Sequence, residues 1–224
     1  MNGYGGSILR VNLTEGKVSK ETTPSDVARD FIGGRGFGIY FLLKEVTKGA
    51  DPLGPENKLI ISSGPISRML IPGGGKCDWT TKSPLTGGYF RACAGGPFGA
   101  EVKSAGYDVL IVEGRAATPV YIWIDDGRVE IRDAAHLSGK LTQETTAAIR
   151  EELGDNRIKA AVIGPSGEKL VRFAAIVDER RTASRGGVGA VMGSKNLKAV
   201  AVRGSHKPDI TDRSTLMAMV KKQM

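Results

Sequence analysis

The sequence predicts an α+β fold that is internally duplicated, and three observations indicate this class. Short alternating runs are typical of β-hairpins, and apolar runs with helical spacing end at glycines. The same order of elements occurs twice, at about residues 1–114 and 115–206. We therefore predict one domain over residues 1–206. Residues 207–224 are predicted to be a linker and the truncated first helix of a further domain that is missing.

The first repeat begins with a predicted hairpin over residues 8–20, whose arms alternate around a turn at Gly16. A short helix is predicted over residues 25–32, because apolar residues share one face and Gly33 stops the run. A second, apolar helix is predicted over residues 39–46.

The remainder of the first repeat alternates between strands and glycine-rich segments. Residues 59–63 are predicted to form a buried strand that ends at Gly64-Pro65, and residues 80–86 to form a polar connector. A helix opened by the glycines at 95 and 96 is predicted to end near Ala105. A fully apolar strand over residues 109–112 follows.

The second repeat contains the same elements in the same order. A hairpin at residues 122–129 and a helix at 142–153 are followed by a strand at 160–163 that again ends in Gly-Pro. Segment 186–204 then runs in step with segment 95–114, with a difference of one residue in spacing. Recurrence in one order indicates duplication rather than coincidence.

Composition excludes several classes of protein. Lysine and arginine exceed aspartate and glutamate by 32 to 24, so we expect an anionic ligand or an acidic partner. No basic block with interleaved aromatic residues is present, so we predict no nucleic-acid partner. No run of about 18 apolar residues occurs, so we predict no membrane partner.

The cysteines constrain both redox compartment and metal chemistry. Cys77 and Cys93 are the only two, and they form no Cys-x-x-Cys motif. The sequence therefore excludes an iron–sulfur cluster or a structural zinc site made by this chain alone. We predict no disulfide and a cytoplasmic location. Neither His136 nor His206 has a paired nucleophile, so we predict no catalytic residue.

The stretch 180–198 is the main candidate for a binding site. Arg180, Arg181 and Arg185 lead into Gly186-Gly187 and a short helix of small residues. Free backbone N–H groups and guanidinium groups at one point are typical of an anion site. The alternative is that the glycines allow close helix–strand packing and the arginines are solvated, and the stretch alone leaves this open.

Two other glycine-rich runs fail as nucleotide motifs. The glycines of residues 33–38 follow a predicted helix rather than a strand, which is the wrong context for a dinucleotide fingerprint. The run at residues 73–75 precedes Lys76, but Cys77 stands where a phosphate-binding P-loop needs Ser or Thr. Lys76 remains a candidate point charge for a phosphate.

Six sequence motifs together carry a resemblance to a known family. They are Ile8-Leu-Arg-Val-Asn-Leu-Thr, Pro55-Glu-Asn-Lys-Leu, Thr81-Lys-Ser-Pro-Leu-Thr-Gly, Phe98-Gly-Ala-Glu, Ala105-Gly-Tyr-Asp and Arg185-Gly-Gly-Val-Gly-Ala-Val-Met-Gly-Ser-Lys-Asn-Leu-Lys. Across nearly the whole chain the sequence resembles the N-terminal domain of tungsten-containing aldehyde:ferredoxin oxidoreductases. The resemblance implies a duplicated platform that seats a bis-molybdopterin cofactor of tungsten or molybdenum. We expect two sheets with helices outside.

The resemblance also implies roles for individual residues. Arg181 and Arg185 match arginines that contact the pterin phosphates. Lys76 stands where the family commonly has arginine, and Cys93 where asparagine is usual. The backbone carbonyls of Cys93 and Thr182 match ligands of a magnesium ion that bridges the phosphates. The full set of implied cofactor-binding residues is Lys76, Cys93, Gly95, Arg181, Thr182, Ser184 and Arg185.

The function implied by the resemblance is oxidation of an aldehyde to a carboxylic acid. In the family, electrons leave through a 4Fe-4S cluster, held by later domains, to ferredoxin. We therefore expect this chain alone to be catalytically incomplete. Its expected partners are ferredoxin and the remaining enzyme domains or subunit, with homo-oligomerisation a further expectation. Two alternatives stay open: a stand-alone cofactor-binding or assembly module, and the tungsten subunit of a benzoyl-CoA-reductase-type enzyme.

Overall fold

Two six-stranded mixed sheets form the framework of the protein. The computed structural model describes residues 1–69, 71–207 and 209–223. Within these residues the chain forms twelve strands and seven helices. The predicted α+β class, with its internal duplication and two sheets, is confirmed.

The first sheet contains the strands β1 to β6. Their bounds are β1 Ser7–Asn12, β2 Lys17–Thr22, β3 Leu59–Ser63, β4 Cys77–Lys82, β5 Tyr89–Ala94 and β6 Tyr107–Glu113. The helices of this half are α1 Ser25–Phe31, α2 Arg35–Glu45 and α3 Phe98–Ser104.

The second sheet contains the strands β7 to β12. Their bounds are β7 Val120–Asp125, β8 Arg128–Asp133, β9 Lys159–Val162, β10 Ile176–Asp178, β11 Arg181–Ala183 and β12 Leu197–Arg203. Its helices are α4 Thr142–Leu153, α5 Pro165–Glu168 and α6 Val188–Ser194, with a 3-10 turn at Ala135–Leu137. The helix α7, Arg213–Gln223, follows the last strand.

The two sheets have the same topology. Read from the hairpin edge, the strand orders are β2-β1-β6-β3-β4-β5 and β8-β7-β12-β9-β10-β11. In each sheet the first hairpin strand pairs in parallel with the last strand of the repeat, and all other pairs are antiparallel. Both parallel pairs carry a register shift near their start, after Ser7 and after Leu197. The duplication thus extends to a local irregularity.

The layers follow from alternation along the strands. In β6, Leu110 and Val112 face a central hydrophobic cluster between the sheets, whereas Val109 and Ile111 face α1 and α2. The helix α4 covers the outer face of the second sheet. Each sheet therefore has one face on a shared core and the other under its own helices.

Two helices differ from the expected position outside the sheets. The helices α3 and α6 contact strands of both sheets and contribute Phe98, Val102 and Val191 to the central cluster. Small residues permit this position: a Cβ at Gly99 would overlap Cys77 of β4, and one at Gly193 would overlap the backbone at Gly167. The motif glycines thus allow helices to pack between two layers.

Some predicted bounds were wrong. The polar connector predicted at residues 80–86 begins within the buried strand β4, because Thr80 and Thr81 pack between neighbouring strands and suit a pleated sheet. The helix α2 begins at Arg35, earlier than predicted, because Gly34 adopts a positive φ of 50° before it. The predicted domain boundary at residue 206 stays a prediction, and Pro208 and Met224 lie outside the described residues.

Candidate ligand site at the junction of the two repeats

The edge strands of the two sheets meet at one end of the molecule. The strand β5 ends the first sheet, β11 ends the second, and the two strands contact each other. A glycine-containing loop follows each strand and leads into an inner helix. We name residues 95–97 the first glycine loop and residues 184–187 the second glycine loop.

The first glycine loop borders open space on one side. A Cβ at Gly95 would meet no atom within 4 Å, and a Cβ at Gly75 would lie 3.7 Å from the carbonyl oxygen of Gly96. Lys76, which follows Gly75, is exposed beside this loop. Burial raises the pKa of the Cys93 thiol and Asp78 raises it further, while the charges of Arg91 and Lys76 oppose the shift. Lys76, Cys93 and Gly95 are therefore neighbours.

The second glycine loop carries the arginines. Arg181 and Thr182 lie exposed on β11, Ser184 is half-buried, and Arg185 is exposed. Arg185 has a φ of +89°, which costs a non-glycine residue about 1–2 kcal/mol. Backbone strain of this kind persists only where the surroundings hold it, and it is concentrated at functional sites.

Residues of the first repeat hold this strained segment. The buried Ser83 hydroxyl donates a hydrogen bond of 2.7 Å to the carbonyl oxygen of Gly186. A Cβ at Gly186 would overlap the Phe90 ring, and one at Gly187 would lie 2.6 Å from Pro84 Cγ. The second glycine loop is thus packed against the end of β4 and against β5.

The cationic side chains of the site lack carboxylate partners in the part of the chain that the structure describes. Among the described residues, Lys76, Arg180, Arg181 and Arg185 form no ion pair with a carboxylate. Arg203, by contrast, pairs with both Glu101 and Asp155. Exposed guanidinium groups beside free glycine backbone are suited to phosphate, which accepts two parallel hydrogen bonds from one arginine.

A buried carboxylate lies beneath the first glycine loop. Asp178, at the end of β10, is 3% exposed, and its Oδ2 accepts a hydrogen bond of 3.1 Å from the backbone N–H of Phe98. Its Oδ1 has no hydrogen-bond partner among the described residues. Burial raises the pKa of Asp178 to about 7, although the bond from Phe98 opposes that shift.

The two thiols lie on opposite faces of β4 and β5. Cys77 belongs to the central cluster, whereas Cys93 is half-buried opposite Asp78. Both are free, as the sequence predicts. Burial raises the pKa of Cys77 well above its usual value, so this thiol stays protonated at neutral pH. No cluster of three or more metal-binding side chains occurs in the described part of the chain.

The structure brings the predicted site residues together around the two glycine loops. Lys76, Cys93 and Gly95 surround the first loop, while Arg181, Thr182, Ser184 and Arg185 form the second loop and the strand before it. Sequence reasoning missed Ser83 and Asp178. Ser83 stands in the quoted Thr-Lys-Ser-Pro motif and Asp178 ends a strand three residues before Arg181, but neither signal reveals a contact with the other repeat.

Fold and site together define a class of protein: a duplicated α+β domain whose halves join to form a cationic, glycine-lined surface. Residues 8–204 match the family model for the aldehyde ferredoxin oxidoreductase N-terminal domain. The chain belongs to this family, whose members are oxidoreductases.

Individual relatives agree with this assignment. The tungsten-containing aldehyde ferredoxin oxidoreductase of Pyrococcus abyssi is 52% identical over the entire chain, which spans 37% of that relative. The aliphatic sulfonate oxidoreductase WOR-like subunit of Pyrococcus furiosus is 38% identical over 99% of the chain and 38% of its own length. The BamBC active-site complex of benzoyl coenzyme A reductase superposes with a TM-score of 0.96 and 36% identity, over 99% of this chain and 34% of that one.

Proposed function

We propose that the two glycine loops seat the phosphate groups of a tungsten or molybdenum bis-molybdopterin cofactor. The observation that carries this proposal is the group of cations Lys76, Arg180, Arg181 and Arg185, which have no ion pair among the described residues and lie on the chain segments that lead to the two glycine loops. The 52% identical relatives are named as tungsten-containing enzymes, which supports tungsten as the metal.

Individual residues have distinct tasks in this proposal. Arg181 and Arg185 donate paired hydrogen bonds to phosphate, and Lys76 supplies a point charge from the other side. Gly95 lets the backbone approach the ligand, because no side chain occupies the space beside it. Thr182 and Ser184 add hydroxyl donors on and after β11.

The proposal includes a magnesium ion held by the backbone carbonyls of Cys93 and Thr182. Both residues lie on edge strands, which leave part of their carbonyl groups without a ladder partner. Carbonyl oxygen is a suitable ligand for Mg²⁺. Replacement of the family's asparagine by Cys93 is compatible with this role, because only the main chain is used.

The chain acts by binding and orientation. When bound, the metal would supply the two-electron oxidation of an aldehyde to a carboxylate. We propose that electrons leave through a 4Fe-4S cluster to ferredoxin, and that the cluster belongs to parts of the enzyme other than this chain, which has two cysteines.

The proposed location is the cytoplasm, because two free thiols accord with a reducing compartment. No described helix is long and apolar enough to cross a membrane.

A benzoyl-CoA-reductase-type tungsten subunit is the second candidate. The structural match with a TM-score of 0.96 favours it, but the identity of 36% is lower than the 52% to aldehyde oxidoreductases. We therefore place the aldehyde enzyme first. A cofactor-binding module without turnover would use the same site. It is distinguished from an enzyme by the absence of aldehyde oxidation once the cofactor is bound.

The test is the cofactor content of the purified protein, produced with tungstate or molybdate. We expect Arg181→Ala with Arg185→Ala to lower metal and pterin per chain by about 100-fold or more, since each charge-assisted hydrogen bond contributes about 1.5–3 kcal/mol. Lys76→Ala should cost about 10-fold. Arg128→Ala with Arg157→Ala removes equal charge from exposed positions of the second repeat and should leave the content unchanged. Unchanged metal and pterin in the Arg181 and Arg185 variant would refute the proposal.

A further inference from the structure

We propose that each glycine loop is held in its binding conformation by a residue of the opposite repeat. Asp178 of the second repeat positions the first glycine loop, and Ser83 of the first repeat positions the second. Both are positioning residues that act through the loops. The inference rests on the proposed function insofar as the loops are the ligand loops.

Asp178 fixes the point where the first glycine loop becomes a helix. Its carboxylate accepts the backbone N–H of Phe98, the first residue of α3, and lies against Gly96. Gly96 has a φ of +115°, and a Cβ there would overlap the carboxylate. The loop therefore adopts a conformation that requires glycine at position 96 and is held by the Asp178 side chain from β10.

Ser83 has the corresponding place at the second glycine loop. Its hydroxyl donates to the carbonyl oxygen of Gly186 and accepts the N–H groups of Leu85 and Thr86, at 3.1 and 3.2 Å. The side chain is fully buried: its donated bond crosses to the other repeat, and the two bonds it accepts fix the hydroxyl within its own turn. Phe90 and Pro84 complete the contact by packing on Gly186 and Gly187.

The other ends of the inner helices α3 and α6 are also held by residues of the opposite repeat. In α3, the mid-helix residue Glu101 accepts hydrogen bonds from Arg203 Nη1, at 2.7 Å, and from the Gly204 N–H, at 3.0 Å. The carbonyl oxygen of Ser104, the last residue of α3, accepts the His206 N–H at 2.9 Å. After α6, the buried Lys195 donates to the carbonyl oxygens of Asn57 and Gly114 in the first repeat. Each inner helix is thus held at both ends by the other repeat.

This arrangement fixes the distance between the two loops. A ligand that bridges both loops would otherwise have to order them when it binds, at a cost in conformational entropy. Buried hydrogen bonds between the repeats meet that cost during folding. We therefore expect loss of either contact to weaken ligand binding through one loop, while the charges that attract the ligand remain.

Asp108 provides a matched control. It is a fully buried carboxylate of the first repeat that accepts the N–H groups of Gly5 and Gly6, the Thr23 hydroxyl and the Lys103 ammonium. None of these partners belongs to a glycine loop. Asp108→Asn should therefore destabilise the fold without a specific effect on either loop.

The experiment is amide hydrogen exchange of the full chain, followed by mass spectrometry. In Asp178→Ala, exchange of residues 95–99 should accelerate by about 10- to 100-fold, because the buried Phe98 N–H loses its acceptor. In Ser83→Ala, residues 184–188 should accelerate by about 10-fold. Asp178→Asn keeps an acceptor for the Phe98 N–H and should restore most of the protection against exchange. This variant keeps the inference testable if Asp178→Ala folds poorly.

Metal and pterin content gives a second readout. Asp178→Ala should lower both, Asp178→Asn should retain most, and Asp108→Asn should retain all despite lower stability. Unchanged exchange at 95–99 in Asp178→Ala, or uniform acceleration as in Asp108→Asn, would overturn the inference. Cofactor loss in the arginine variant, together with unchanged loop exchange here, would refute only the positioning role. If the Asp178 and Ser83 variants accelerate amide exchange in the opposite repeat's loop as expected, but the purified protein holds no metal or pterin, only the proposed function would be refuted.

Discussion

The two glycine loops have equivalent positions in a duplicated fold but differ in chemistry. Each follows an edge strand and enters an inner helix, α3 or α6. The first loop is neutral and depends on Lys76 from a separate segment for its charge. The second has Arg181 and Arg185 within or next to it. Topology is therefore shared, whereas charge is concentrated in one half.

The difference indicates a division of work. The first loop supplies space and backbone, because Gly95 borders an open region and Gly96 lies against Asp178. The second supplies guanidinium groups, one of them from Arg185, whose φ of +89° is strained for a residue with a Cβ. The following predictions test this division, beginning with the largest expected effect.

The neighbouring glycines of the first loop should respond very differently to alanine. Gly96→Ala should destabilise the protein by about 3 kcal/mol, because it adds strain at a φ of +115° and an overlap with Asp178. Gly95→Ala should change the free energy of unfolding by less than about 1 kcal/mol, since its Cβ would meet open space. Urea unfolding measures both, and equal losses would contradict the distinction.

The buried Asp178 should make stability depend on pH. Its pKa is about 7 when folded and 3.8 as its ordinary value, so the folded state holds a proton that the unfolded state releases between these pH values. Its contribution is fully present below about pH 4 and is lost as pH rises through 7. Glu179 raises this pKa, and Lys159 and the bond from Phe98 lower it.

Asp178→Asn removes this titration, so the difference between wild type and variant gives the contribution of Asp178 to the pH dependence of the free energy of unfolding. From pH 5 to 7 the wild type should lose about 2 kcal/mol more stability than the variant. Asp108→Asn controls for loss of a buried carboxylate elsewhere. Parallel stability curves for wild type and Asp178→Asn would show that the Phe98 N–H keeps Asp178 ionised throughout.

Two truncations of Arg185 should separate strain from charge. Arg185→Ala and Arg185→Gly remove the same guanidinium and should lose cofactor equally. The glycine variant should be more stable by about 1 kcal/mol, because a φ of +89° is unfavourable for residues with a Cβ. Thermal unfolding of both variants gives the difference, and a more stable alanine variant would contradict the strain.

Much of the fold was predictable because its signals are local. A buried apolar run ended by Gly64-Pro65 located β3, and an apolar helix face stopped by Gly154 located α4, at their observed bounds, Leu59–Ser63 and Thr142–Leu153. The strand β4 was missed because its buried threonines look polar, although they lie inside a sheet. The inner position of α6 was missed because a helix of small residues has no polar face to show which side is solvent. That of α3 was missed because Glu101 and Lys103, which are typical of a solvent-exposed face, are buried in ion pairs.

The sequence by itself determined the duplication, the order of the hairpins, helices and buried strands that have a local signal, and the location of the glycines and arginines, because periodicity and turn chemistry act over a few residues. Only the tertiary structure decided that Asp178 meets Phe98 and that Ser83 meets Gly186. These pairs lie 80 and 103 residues apart in the chain. Contacts of that range depend on how the two sheets pack around α3 and α6, and no local pattern encodes them.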